Sequence, residues 1–171
     1  MAEKFCENKY GLPPLVALKR GETVEWVQQK QRDFELLGYF LSCHLAIEHY
    51  MDSWLQTTHP QLKWSEAKLN FGQKAALLRD LWKTIPKYDS MPAIKHMNSV
   101  RNRMSHRVDY ELTDADLLPL RQFLDKVSSN GQVPEDRIAM LSHFTSMACV
   151  TFASQISYAT EKSPIERPLG D

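Results

Sequence analysis

An arginine, an asparagine and a histidine stand close together in the run RNRMSHRVDY, which covers residues 101–110. The guanidinium group of arginine is charged at every working pH, and its planar fork binds phosphate oxygens. Histidine changes its charge near neutral pH, so it can take up or donate a proton during a reaction. Arg101, Asn102 and His106 are therefore candidates for chemistry on a phosphate group.

The spacing of this arginine and histidine is not specific by itself. An arginine followed four to six residues later by a histidine is expected about once by chance in a chain of this composition. The chain contains a second such pair, Arg137 and His143. Ile138 follows Arg137 on a strongly apolar stretch, which favours a place for His143 at the edge of the core rather than in catalysis.

The first pair lies beside the apolar stripe of its own predicted helix. At about 100° per residue, Met97, Val100 and Met104 form one buried face. Arg101 falls at the edge of this face, and a polar strip continues from it through Asn98, Asn102, Ser105 and His106. His106 also lies near the C-terminal end of the helix, whose partial negative charge stabilises an imidazolium.

Positive charge concentrates around this helix although the whole chain is neutral. Lys plus Arg and Asp plus Glu each total 21, so no global field draws the protein to nucleic acid or to an anionic membrane. Residues 83–107 nevertheless contain six basic residues and one acid, a local footprint suited to phosphate groups. The candidates for binding a substrate are Lys95, Asn98, Arg103 and Ser105. The open alternative is a solvated basic face in which His106 only caps the helix.

The rest of the pattern predicts an all-α protein of one domain over residues 1–171, with about five helices in an up-and-down bundle. Glycine is sparse, with six residues, while helix-forming residues are plentiful. The predicted helices run from about Thr23 to Gln56, Ser65 to Trp82, Pro92 to His106, Thr113 to Ser128 and Pro134 to Thr160. Residues 1–20 are expected to form an extended arm, and residues 162–171 a loose tail.

The last predicted helix is the most apolar part of the chain. Residues 138–159 are long enough to span a bilayer, but His143 and many Ser and Thr residues favour a buried helix. A heptad-like seam of side chains runs along this helix and comprises Ile138, Leu141, Thr145, Ala148, Phe152 and Ala159. The seam suits packing in the core or against a second copy of the chain. The charged N-terminal stretch and three widely spaced cysteines favour a cytoplasmic protein without disulfides or a zinc site.

The stretch FGQKAALLRDLW, then a loop, then IKHMNSVRNRMSH resembles the HEPN superfamily (higher eukaryotes and prokaryotes nucleotide-binding domain) of small helical bundles. The signature of that family is an arginine, then a polar residue that is often asparagine, then a histidine at the end of a helix. Arg101, Asn102 and His106 match this signature. The resemblance covers roughly residues 36–128.

Two further segments carry the resemblance. Phe71, Lys74 and the pair Leu77–Leu78 look like the helix that precedes the motif in the family. The segment HLAIEHYMDSWL looks like the first helix of the family, with Glu48 facing inward. Glu48 and His44 are four residues apart, so they either support catalysis or form a satisfied polar pair at the edge of the core.

The resemblance implies a metal-independent endoribonuclease, without a cofactor, in a homodimer that brings two copies of the motif to one cleft. The 2′-hydroxyl of RNA attacks the adjacent phosphate while His106 moves a proton and Arg101 stabilises the developing charge. Asn102 orients the imidazole or holds a phosphate oxygen. Many members of the family are toxins or defence effectors, so a cognate antitoxin protein is a further implied partner.

Two alternatives to the nuclease stay open. One is a non-catalytic HEPN-like module in which the same groove binds a nucleotide, RNA or a partner protein. The other is a purely structural helical dimer whose basic strip is surface.

Overall fold

The computed structural model of the chain describes residues 15–28, 33–81, 84–107, 110–128 and 132–162. The chain divides into two compact units, residues 1–33 and residues 34–171. Strand β1 (Leu15–Arg20) occupies the described end of the predicted N-terminal arm. The predicted tail lies outside the described residues except for Lys162, which ends the last helix.

The first unit contains a β-hairpin. β1 pairs with β2 (Thr23–Gln28) in antiparallel fashion, with Arg20 opposite Thr23. Gly21 has a φ angle of +64° at the first position of the two-residue loop, a conformation that glycine adopts without a steric penalty. The hydroxyl of Thr23 donates a hydrogen bond to the carbonyl of Arg20 at 2.9 Å.

The prediction of a helix that begins at Thr23 is therefore wrong. The segment TVEWVQ is rich in β-branched and aromatic residues, and it follows a glycine turn, which together specify a strand. The first helix, α1, begins only at Phe34 and ends at Thr58.

The second unit is an all-α bundle, as the composition predicts. After α1, its helices are α2 (Trp64–Ala67), α3 (Phe71–Leu81), α4 (Met91–His106), α5 (Asp114–Val127) and α6 (Arg137–Lys162), with a 3₁₀ turn at Pro86–Tyr88. α1 packs against α6, α6 against α5, α5 against α4, and α4 against α1. These four helices enclose the core, and α3 contacts both α1 and α4.

The longest shared interface joins α1 and α6. The predicted seam of α6 is buried within the same chain at three of its positions, Leu141, Ala148 and Phe152. The indole Nε1 of Trp54 donates a hydrogen bond to Gln155 Oε1 at 3.0 Å, which ties the C-terminal halves of the two helices together. None of the described helices is both long and apolar enough to cross a membrane.

The helix predicted from Ser65 to Trp82 is broken in two, which corrects that prediction. Lys68 takes a left-handed conformation with a φ angle of +42° and ends α2. Asn70 then starts α3 through a reciprocal cap: its side chain accepts from the backbone of Gln73 at 3.0 Å, and the side chain of Gln73 accepts from the backbone of Asn70 at 2.9 Å.

The other predicted helices differ less from the structure. α4 and α5 begin and end within one residue of the predicted bounds. α6 begins at Arg137 rather than at Pro134, because the side chain of Asp136 accepts a hydrogen bond from the backbone of Ala139 at 2.7 Å and caps the helix.

Candidate functional site

A cleft of about 690 Å³ opens where α1, the start of α3 and α4 meet. α1 contributes Leu41, His44, Leu45 and Glu48 to its lining. The start of α3 contributes Asn70, Phe71 and Gly72, and α4 contributes Asn98, Arg101 and Asn102. The cleft therefore joins three segments that are far apart in the sequence, and a volume of this size is in the usual range for small-molecule sites.

His44 forms the buried floor of the cleft. Only 4% of its surface is exposed, and its ring stacks on Phe71 with the two ring centres 4.3 Å apart. Its Nε2 lies 3.2 Å from Oδ1 of Asn98. Because that oxygen is an acceptor, Nε2 carries the hydrogen in this contact.

The charge state of His44 follows from its surroundings. Burial lowers the pKa of the His44 imidazole, and the positive charge of Arg101 lowers it further. The hydrogen bond with Asn98 and the negative charge of Glu48 oppose this shift without cancelling it. The imidazole is therefore neutral at pH 7.

Arg101 and Asn102 form the basic edge of the cleft. Nη1 of Arg101 donates a hydrogen bond to Oδ1 of Asn102 at 3.3 Å. Both side chains are exposed. The hydroxyl of Ser105 donates to the backbone carbonyl of Asn102 at 2.9 Å. A guanidinium group that faces an open cleft is suited to bind an anionic oxygen.

Glu48 stands on the α1 side of the cleft and is held by α3. Nζ of Lys74 lies 2.8 Å from Oε1 of Glu48 and 2.8 Å from Oδ2 of Asp52. Burial lowers the pKa of the Lys74 ammonium, but its hydrogen bonds to Asp52 and Glu48 outweigh burial and leave that pKa above its ordinary value. Lys74 is therefore charged and fixes the position of Glu48, so the structure gives Glu48 and His44 separate partners.

The structure brings four of the sequence-predicted site residues to this cleft and leaves four outside its lining. Inside are Glu48, Asn98, Arg101 and Asn102. Outside are Lys95, Arg103, Ser105 and His106. His106 is exposed at the end of α4, one helical turn beyond Asn102.

Arg103 has a partner on another helix. Its Nη2 lies 2.7 Å from Oδ1 of Asp116 on α5, and its Nε donates to the hydroxyl of Tyr110 at 3.4 Å. These contacts connect α4 to α5 on a part of α4 that does not line the cleft. Lys95 is half-buried and lies near enough to Asp80 to lower the pKa of that carboxyl, an effect smaller than that of Arg79.

His44, Asn70 and Phe71 are lining residues that the motif does not identify. The spacing of His44 from Phe40 and Ile47 marks it as part of the buried stripe of α1, but not as the floor of a cleft. Asn70 has a sequence signal in the pattern Asn-x-x-Gln, which is typical of a helix start. Among the described residues, no group of three or more His, Cys, Asp or Glu side chains is arranged to hold a metal ion.

Comparisons of the chain with protein-family models, with curated proteins and with solved structures find no match.

Proposed function

We propose that the protein is a metal-independent endoribonuclease of the HEPN type, in which Arg101, Asn102 and His106 act on RNA at a cleft completed by a second copy of the chain. The observation that supports the proposal is the placement of Arg101 and Asn102 on one cleft together with Asn98. These residues offer a fixed positive charge and amide groups to a phosphate of the RNA backbone. The six basic residues of the segment 83–107 add to the attraction.

The chemistry requires only groups that this chain and its substrate supply. The 2′-hydroxyl of RNA attacks the neighbouring phosphorus and the bond to the 5′-oxygen breaks. His106 takes up the proton of the 2′-hydroxyl and gives it to the departing 5′-oxygen. Arg101 stabilises the additional negative charge of the transition state, and Asn102 holds a phosphate oxygen. The products are a 2′,3′-cyclic phosphate and a 5′-hydroxyl.

A second copy of the chain is part of the proposal for two reasons. Arg101 and His106 are about 140° apart around α4, so a pair drawn from two chains reaches one phosphate more easily. Leu41 and Leu45 line the cleft with 40% and 64% of their surfaces exposed. Such apolar side chains beside a polar site favour a protein partner that covers them.

The decisive experiment measures cleavage of bulk RNA by the wild-type protein, Arg101→Ala and His106→Ala in the presence of EDTA. We expect the wild type to release cyclic phosphate ends regardless of the chelator, and each variant to be slower by about 100-fold or more. Arg79→Ala and His143→Ala are matched controls, because they remove the same side chains from exposed positions outside the cleft. Cleavage that persists in both motif variants rules out the assignment.

Binding without cleavage is the second candidate function, and the position of His106 outside the cleft lining favours it. A binding module of this kind holds RNA or a nucleotide with an affinity that falls steeply as salt rises. Arg101→Ala then weakens binding, whereas His106→Ala leaves it unchanged.

The nuclease proposal includes a toxin or defence role in the cytoplasm. A cognate antitoxin then covers the cleft. This role requires that cleavage of RNA be observed.

A further inference from the structure

The orientation of the Asn98 side chain decides what the α4 side of the cleft offers to a ligand. Asn98 precedes Arg101 and Asn102 by three and four residues, so the three side chains are neighbours on one face of α4. An asparagine amide ends in an acceptor oxygen and a donor nitrogen of similar shape. In one orientation Asn98 adds N–H groups to the basic edge of the cleft, and in the other it adds a carbonyl oxygen.

The buried imidazole of His44 selects one of these two orientations. Nε2 of His44 lies 3.2 Å from Oδ1 of Asn98, in a contact between α1 and α4. The imidazole is itself held in place, because it is 4% exposed and stacks on Phe71 with an interplanar angle of 27°. The oxygen of Asn98 is thus engaged, and no other described residue bonds its Nδ2. Asn98 therefore presents its amide N–H groups to the cleft.

Asn102 is oriented in the same way by a different partner. Its Oδ1 accepts a hydrogen bond from Nη1 of Arg101 at 3.3 Å, and within the described part of the chain nothing engages its Nδ2. Arg101 also stands close to the other pair: burial lowers the pKa of the His44 imidazole, and the charge of Arg101 lowers it further. Both asparagines thus have an occupied oxygen and an available amide nitrogen beside one guanidinium group.

The acidic residue of the cleft lining is paired with a cation. Glu48 lies on α1, and its Oε1 is 2.8 Å from Nζ of Lys74, whose side chain is only 11% exposed. Lys74 offsets part of the negative charge that an anion meets in the cleft. A phosphate group therefore finds donors on the α4 side and a partly compensated carboxylate on the α1 side.

We infer that His44 is a positioning residue of the proposed phosphate site, which holds Asn98 so that a phosphate meets its amide N–H groups and not its carbonyl oxygen. The inference rests on the proposed function, because it takes the RNA backbone as the ligand of this cleft. The non-bridging oxygens of a phosphodiester are acceptors without hydrogen, so donors stabilise them and a carbonyl oxygen repels them. Without the imidazole, the amide of Asn98 is free to turn, and binding of the phosphate must then fix its orientation.

The test measures binding of an RNA oligomer by fluorescence anisotropy, with every 2′-hydroxyl methylated so that the proposed cleavage cannot occur. His44→Leu removes the donor to Asn98 but keeps a buried apolar side chain, and it should weaken binding about tenfold, the effect of one hydrogen bond to a charged group. His44→Gln supplies a side-chain N–H to the same oxygen and should restore most of the lost affinity. In an Asn98→Ala background, His44→Leu should have no further effect, because no amide is left to orient.

Cys43→Ala is the matched control for a disturbed helix. Cys43 precedes His44 on α1 and is buried to the same degree, with 5% of its surface exposed, but it does not line the cleft. Its substitution should leave the affinity for the oligomer unchanged.

A measurement on the wild type applies even if His44→Leu does not fold. Heteronuclear NMR of the His44 imidazole at neutral pH should locate its single proton on Nε2, the nitrogen that contacts Asn98. A proton on Nδ1 instead would reverse the hydrogen bond, turn the oxygen of Asn98 toward the cleft and overturn the inference.

Three binding results also overturn it. They are equal affinity in His44→Leu and the wild type, an equal loss with and without the Asn98 amide, and a wild type that does not bind the oligomer. Because the oligomer resists cleavage, the two proposals fail separately. Coupling between His44 and Asn98 in a protein that cleaves no RNA contradicts the nuclease and leaves this role of His44 standing, whereas cleavage of RNA without such coupling does the opposite.

Discussion

His44 shows how one side chain combines a structural role with an ionisable group. It is buried against Phe71 and bonded to Asn98, and burial lowers the pKa of its imidazole below the ordinary value of 6.5. In the unfolded chain this imidazole takes up a proton as the pH falls through about 6.5. In the folded chain it stays neutral to a lower pH, so the unfolded state binds more protons in that interval.

The free energy of unfolding should therefore decrease as the pH falls below about 6.5, and His44 should carry part of this decrease. His44→Gln removes the titration but keeps a polar side chain near Asn98. Urea unfolding at pH 7.5 and pH 5.5 should show a smaller pH-dependent loss of stability in His44→Gln than in the wild type. His143→Gln removes an exposed histidine and should behave as the wild type does. An equal loss in His44→Gln and the wild type would show that His44 is not the titrating group.

At the scale of the secondary-structure elements, helix ends decide how the bundle is assembled. α4 and α5 meet at Asp116, whose carboxylate caps α5 by accepting from the backbone of Thr113 at 3.0 Å and pairs with Arg103 at 2.7 Å. Desolvation raises the pKa of Asp116, but the hydrogen bonds from Thr113, Tyr110 and Arg103 outweigh it and lower that pKa to about 2. The carboxylate thus connects the start of α5 to the last turn of α4, the helix that carries the motif.

Because the folded-state pKa of Asp116 is depressed, its contribution to stability is present above about pH 4 and is lost as the pH falls toward 2. Asp116→Asn should lower the free energy of unfolding by about 1 to 2 kcal/mol at pH 7, and should remove part of the acid sensitivity between pH 5 and pH 2. Asp114→Asn is the control, since the Asp114 side chain is 84% exposed and pairs with Arg137 at the surface. Unfolding curves with equal stability for both variants would contradict this role of Asp116.

Local signals predicted some elements well and others poorly. α4 and α5 follow from Pro92 near a helix start and from Thr113 followed three residues later by Asp116, and these signals act within a few residues. The helical pattern of α1 does not reveal the hairpin, because it can be extended backward through a segment whose residue types favour a strand. It does not reveal the break before α3 either, because apolar periodicity continues across Lys68 and Asn70.

The candidate site was only partly accessible from the sequence. The motif identified Arg101 and Asn102, and the polar strip of their helix identified Asn98. The cleft itself depends on α3 packing against both α1 and α4, which is tertiary information that no local pattern carries. The sequence pairs His44 with Glu48, either in support of catalysis or as a polar pair at the edge of the core, and does not indicate its bond to Asn98, because that bond joins positions 54 residues apart.

At the scale of the whole molecule, the proposed dimer depends on an apolar surface beside the cleft. Leu45 on α1 is 64% exposed and lines the cleft, whereas Val150 on α6 is 61% exposed and does not. The two residues are therefore a matched pair of exposed apolar side chains on long helices. Burial of an exposed leucine in an interface contributes about 1.5 to 3 kcal/mol, and a charge placed there opposes association.

Leu45→Glu should weaken self-association at least tenfold in sedimentation velocity experiments, while Val150→Glu should leave it unchanged. If the cleavage site is shared between two copies, RNA cleavage by Leu45→Glu should fall with the dimer population and recover as the protein concentration rises. Circular dichroism should show the same helix content in both variants, because neither side chain is part of the core. A wild type that cleaves RNA as a monomer, or a Leu45→Glu variant that cleaves RNA at full rate as a monomer, would show that one chain completes the site alone.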